Sequence, residues 1–119
     1  MASEGDPIIR LTKALEQVET ALADNIELGI EIQRRVQWFR DQIAVGATVE
    51  SLVSAESVPR AVEMLTLNAM VLETAGAEFR STLAHALRAE GMTTEAIGKL
   101  FGVTRQRVSA LLRQNPPPE

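Results

Sequence analysis

Cysteine is absent from these 119 residues, which excludes disulfides and thiolate metal sites and fits a cytoplasmic setting. Histidine occurs once. It is His85, set in a helical run among Leu83, Ala84, Ala86 and Leu87, where a structural or exposed role is expected rather than a ligand or a base. Aromatic residues make up only 3% of the chain, and the pair Trp38-Phe39 reads as core or interface, with a small-molecule pocket as the minor alternative. No apolar run reaches membrane length. The stretch from Met1 to Pro7 is polar and acidic rather than basic then apolar, so no signal peptide is expected. There is no glycine-rich phosphate loop, nucleophile elbow or metal-ligand spacing. These absences lead to the expectation of a non-enzymatic protein with no catalytic residue, cofactor or metal.

Proline is also missing where it would interrupt, since none occurs between Pro7 and Pro59. Asp6-Pro7 is a strong helix start, an N-cap acid followed by proline at the first helical position. From there Leu11, Leu15, Val18, Leu22, Asn25, Gly29, Ile32, Val36, Phe39 and Ile43 alternate in steps of four and three, which is a sustained heptad repeat. An asparagine inside such a seam fixes register at a cost in stability. Gly46 ends this helix, and Ala44 to Ser57 form a connector with a short helical turn around Val49 to Val53. Ser57 and Pro59 start a second long segment, in which Val62, Leu65, Ala69, Leu72, Gly76, Phe79, Leu83 and Ala86 repeat the three and four spacing up to a stop at Gly91. Each segment is of order 50 Å long at ~1.5 Å per residue, so the two are expected to pair as an antiparallel hairpin.

A two-helix hairpin has too little interior for all of this apolar surface. Ile26, Ile30, Met64, Leu67, Met70 and Val71 widen the apolar face beyond the seams and predict a partner surface. The simplest completion is a homodimer whose hairpins form a four-helix bundle, with Leu15, Val18, Leu22, Asn25, Ile32, Val36, Phe39, Leu65, Leu72 and Phe79 as dimerisation residues. The competing expectation is a monomer in which the hairpin folds onto the C-terminal region. Glu16, Glu19, Asp24, Glu27 and Glu31 read as a solvated helix face, with docking of a basic partner as the minority alternative.

The C-terminal segment Thr94-Glu95-Ala96-Ile97-Gly98-Lys99-Leu100-Phe101-Gly102-Val103-Thr104-Arg105-Gln106-Arg107-Val108-Ser109-Ala110-Leu111-Leu112 reads as a helix-turn-helix. Two short helices crossing steeply need apolar residues at fixed offsets and little bulk where their backbones approach. Ile97 and Phe101 supply the inner face of the first helix, and Gly98 leaves room at the crossing. Gly102 falls where a left-handed backbone is cheapest for glycine. Val103 is expected to plug the turn and Thr104 to cap the second helix. Val108 and Leu111 then form a buried stripe, while Arg105, Gln106 and Ser109 lie off it and present groups that read base edges and phosphates.

The run Gly98-Lys99-Leu100-Phe101-Gly102-Val103-Thr104-Arg105-Gln106-Arg107-Val108 resembles the helix-turn-helix at the C-terminal end of bacterial primary sigma factors. There a similar segment inserts its second helix into the major groove of a promoter element. The likeness is confined to residues of about 92–113 and implies a fold and a ligand class, not a role as a sigma factor.

Net charge looks wrong for a DNA binder until it is divided. Residues 80–119 hold six Lys/Arg against three acids and carry +3, so the other 79 residues carry −7 of the total −4. A basic end can approach phosphate while an acidic body stays away, and doubling that end by dimerisation strengthens weak binding.

The expectation is therefore an all-α chain: a long helical hairpin, in a dimeric four-helix bundle, followed by a helix-turn-helix head. Residues 1–76 form the dimerisation region, 77–115 the DNA-binding domain and 116–119 a flexible tail. The expected DNA-binding residues are Thr94, Lys99, Thr104, Arg105, Gln106, Arg107, Ser109 and Arg113. Arg105 and Gln106 are assigned to bases, Lys99, Arg107 and Arg113 mainly to phosphates, and the threonines to backbone positioning. The expected partners are double-stranded DNA, a second copy and the transcription machinery, with no membrane, in a nucleoid-associated cytoplasmic location. Alternatives are an adaptor docking RNA polymerase or a sigma factor, and an architectural nucleoid protein.

Overall fold

In the computed structural model, which describes residues 5–114, every regular element is an α-helix. In chain order these are α1 (Pro7–Ala44), α2 (Val49–Ala55), α3 (Ala61–Ala89), α4 (Thr94–Phe101) and α5 (Arg105–Arg113). No helix among the described residues is long and apolar enough to cross a membrane. The expected tail 116–119, residue 115 of the expected head and the first four residues of the polar N-terminal stretch lie outside the described residues.

The helix ends follow local chemistry. Asp6 Oδ1 accepts from the Ile8 N–H at 2.8 Å, satisfying one of the donors that a helix start leaves open, and Pro7 has none to satisfy. The connector then forms α2 as a short helix capped by Thr48, whose hydroxyl accepts from the Ser51 N–H at 3.2 Å. α1 and α3 both close on a left-handed glycine, Gly46 and Gly91, with the next residue bonding back to the last turn.

By its internal contacts the chain divides into two compact units. One consists of residues up to Glu19 together with those from Thr74 onward, and the other is Thr20–Glu73. α1 and α3 each contribute to both, and so does the expected dimerisation region 1–76.

Within Thr20–Glu73, α1 and α3 pack through Ile32, Ala61 and Met64, with Leu28 and Phe39 against them. Asn25 Nδ2 donates to the Asn68 carbonyl at 2.9 Å, so three of the expected dimerisation residues, Asn25, Ile32 and Phe39, have partners inside the chain. The heptad seam is divided between inward and exposed positions. Leu15, Leu22, Val36 and Ile43 are exposed, and the inward positions of α1 one residue earlier include the buried Ala14 and Ala21 and the partly buried Leu28 and Arg35. On α3 the shift is the same: Ala61, Met64 and Ala75 are buried, while Val62, Leu65 and Leu72 are exposed. Alanine at several inner positions adds little bulk between the helices, which permits close backbone packing there.

Glu56, at the end of α2, ties this unit together. Its buried carboxylate accepts from the Arg35 guanidinium at 2.7 Å and from the Ala61 N–H at 2.9 Å. Burial alone pushes its pKa up, but the Ala61 N–H, the Arg35 bond and charge, and the Arg60 charge outweigh it, leaving the group below its ordinary 4.5. A carboxyl depressed in the folded state contributes stability that is complete above its unfolded pKa and is lost as pH falls through the folded one. Wild-type protein is therefore expected to lose stability below about pH 4.5 more steeply than Glu56→Gln, which has no proton to take up. Urea midpoints measured at neutral and acid pH read that difference, and parallel pH profiles would count against it.

Candidate nucleic-acid interface

Within the unit that contains them, the two C-terminal helices are built on the end of α3. Ala84 is fully buried against Ile97 of α4 and Val108 and Leu111 of α5, with Leu87, Met92, Phe101 and Leu112 around them. The apolar offsets explain this packing: Val108 and Leu111 lie three apart on one side of α5, and Ile97 and Phe101 four apart on one side of α4. α4 is capped by Thr93, whose hydroxyl accepts from the Ala96 N–H at 3.1 Å. Thr93 was not among the expected residues, although a threonine three residues before a backbone donor at a helix start is a usable signal.

The turn between α4 and α5 depends on two glycines. Gly102 closes α4 in the left-handed conformation at φ 70°, which costs other residues energy. Gly98 is buried, and a Cβ placed on it would stand 2.9 Å from the Val103 carbonyl oxygen, so any side chain would push the two backbones apart. Val103 itself departs from expectation. Its side chain is 39% exposed and does not plug the turn. Its backbone does that work, since the N–H donates to the Gly98 carbonyl at 2.9 Å and the carbonyl lies over Gly98. Thr104 then caps α5, accepting from the Arg107 N–H at 3.1 Å.

This packing leaves a polar and cationic outer surface. Lys99, Thr104, Arg105, Gln106, Arg107 and Arg113 are exposed, and Thr94 and Ser109 are half-buried. None of the four cations makes an ion pair among the described residues. Over Thr94–Arg113 the only acid is Glu95, so the segment carries +3 from four cations and one carboxylate. Charge of one sign, held on helices and not neutralised internally, is available to an anionic ligand.

The far end of α5 is secured by two side chains of α3. The buried Ser81 hydroxyl lies 3.0 Å from the Leu111 carbonyl and 3.1 Å from that of Gln114. His85 Nε2 lies 3.1 Å from the same Gln114 carbonyl, which can only accept, so a hydrogen bond there places the proton on Nε2. His85 thus has a structural contact. Among the described residues no group of three or more His, Asp or Glu side chains is arranged to hold a metal ion.

In comparisons with known proteins, no family model, no curated protein and no solved structure matches this chain.

Proposed function

We propose that α4, its turn and α5 form a helix-turn-helix head that reads double-stranded DNA, with α5 entering the major groove, in a small homodimeric transcription regulator of bacterial type. The observation that carries this reading is the division of α5: Val108 and Leu111 are fully committed to the core, while Arg105, Gln106, Arg107 and Arg113 are exposed. A helix held by one side on a small core and presenting guanidinium and amide groups on the other has the parts that base and phosphate recognition need. The buried Gly98, the left-handed Gly102 and the Thr104 cap support the same reading, as does the resemblance of Gly98–Val108 to the promoter-reading segment of sigma factors. Arg105 and Gln106, in the first turn of α5, are the base-reading pair; Lys99, Arg107 and Arg113 meet phosphates, and Thr94, Thr104 and Ser109 position the backbone. Such a protein acts at the nucleoid, in the cytoplasm.

A second reading, an adaptor for the transcription machinery, is favoured by one observation. Asp24, Glu27 and Glu31 line a groove with Leu28, Leu67 and Val71, which suits a basic apolar segment of another protein.

The test is binding of the purified protein to a pool of genomic DNA fragments at two salt concentrations. Selective enrichment of a few sites is the expected result. Uniform, steeply salt-dependent retention would mean an architectural DNA-binding protein, and no retention at either salt would favour the adaptor.

A further inference from the structure

In the unit Thr20–Glu73, Asn25 lies against Asn68 and Ile32 against Ala61 and Met64, so the two helices run antiparallel there. One side of this pair is apolar on both helices and uncovered. It carries Leu22, Ile26 and Val36 from α1 and Val62, Leu65 and Leu72 from α3, whose exposures run from 38% at Leu72 to 75% at Val62. Leu22 and Val36 follow the inward positions Ala21 and Arg35 by one residue, Leu65 follows the buried Met64 in the same way, and Leu72 lies two helical turns on from Leu65. In an antiparallel pair such positions fall on one common side. The positions between them, Gly29, Gln33 and Ala69, are uncharged. The carboxylates Asp24, Glu27 and Glu31 lie on the opposite side, beside Leu67.

Gly29 adds an independent observation. It stands in the middle of the apolar side, and a Cβ built on it would meet nothing within 4 Å in the chain. A glycine inside a helix costs about 1 kcal/mol relative to alanine, and the chain itself makes no use of the room it leaves. Close approach of another helix does use it.

We infer that a second copy of this chain covers this face, the two helix pairs forming a four-helix bundle with Gly29 at the point of closest approach. A twofold contact sets a surface against itself, so in an acidic protein it is opposed by like-charge repulsion wherever carboxylates cluster without cations between them. This side carries no carboxylate between Leu22 and Val36 or between Leu65 and Leu72, with the cation Arg40 one turn beyond Val36, whereas the opposite side carries three carboxylates. The six side chains offer on the order of 500 Å² per copy, the larger part of the about 800 Å² per partner in a standard interface. The inference rests on the homodimer of the proposed reading and names its face.

The experiment is sedimentation of the full chain as wild type, Gly29→Leu, Leu65→Glu and Leu67→Glu, with helicity followed by circular dichroism. The wild type and Leu67→Glu are expected at twice the 13.0 kDa chain mass. Gly29→Leu and Leu65→Glu are expected to raise the dimer dissociation constant at least about tenfold, with helicity retained. Because leucine is a better helix former than glycine, loss of the dimer in Gly29→Leu cannot come from a weakened helix. A monomeric wild type, or a dimer weakened by Leu67→Glu and indifferent to Gly29→Leu, overturns the inference. The measurement contains no DNA, so a dimer that binds none would leave this face standing and overturn only the DNA reading.

Discussion

Replacing Ile97 with alanine is expected to cost the C-terminal unit about 2–5 kcal/mol. Ile97 is fully buried and touches the cluster formed by Ala84, Val108 and Leu111, so truncation removes apolar contact from three helices at once and leaves a cavity among them. The core is small, and no other large side chain of α4 is equally buried. Urea unfolding should show a lower midpoint, and affinity for any preferred DNA site should fall with the folded fraction rather than with a particular base. Gly98→Ala is a second probe of the same packing, because its Cβ would meet backbone, which cannot rotate away. A variant Ile97→Ala as stable as wild type would mean that α4 and α5 do not depend on this core.

Arg105→Ala is expected to weaken binding to a preferred site by about 1–3 kcal/mol, the cost of losing one bidentate base contact. Arg105 is the first residue of α5, next to the Thr104 cap, and its side chain is exposed, so its loss leaves the core untouched. Unfolding midpoints should therefore stay near wild type while specific affinity drops and affinity for random duplex changes little. Lys99→Ala is the contrast: it should weaken all sequences alike and flatten the salt dependence. Titrations on specific and random DNA at two salt concentrations separate the two patterns. Equal losses on both DNAs for Arg105→Ala would remove it from the base-reading residues.

What could be read from the sequence was what short-range rules control. Asp6-Pro7, Gly46, Gly91, Gly102 and Thr104 mark helix ends through chemistry confined to a few residues, and each does so in the structure. Val108 and Leu111 were legible because both helical spacing and the polar character of their neighbours point the same way. Which seam positions of α1 turn towards α3 was left open. Leu22 and Ala21 are adjacent, the heptad fits either, and only the approach distance of the second helix decides between them. Val103 was misread for a related reason: its type suggested a side-chain role where the turn uses its backbone. The contacts of Ser81 and His85 join residues about thirty apart in sequence, and no local pattern encodes them.

Those two contacts also bear on the energetics of recognition. α5 is fastened at its start by Thr104 and at its end by Ser81 and His85 of α3, so its axis and rotation are set before any ligand arrives. A short helix that had to fold on contact would give up part of its interaction energy to ordering, on the order of 1–2 kcal/mol for each backbone residue fixed. This one arrives already ordered. If α5 reads DNA as proposed, heat-capacity changes on binding should report surface removed from water, with little contribution from helix formation, and sites should be told apart by what the side chains of α5 touch rather than by how readily the helix forms on them.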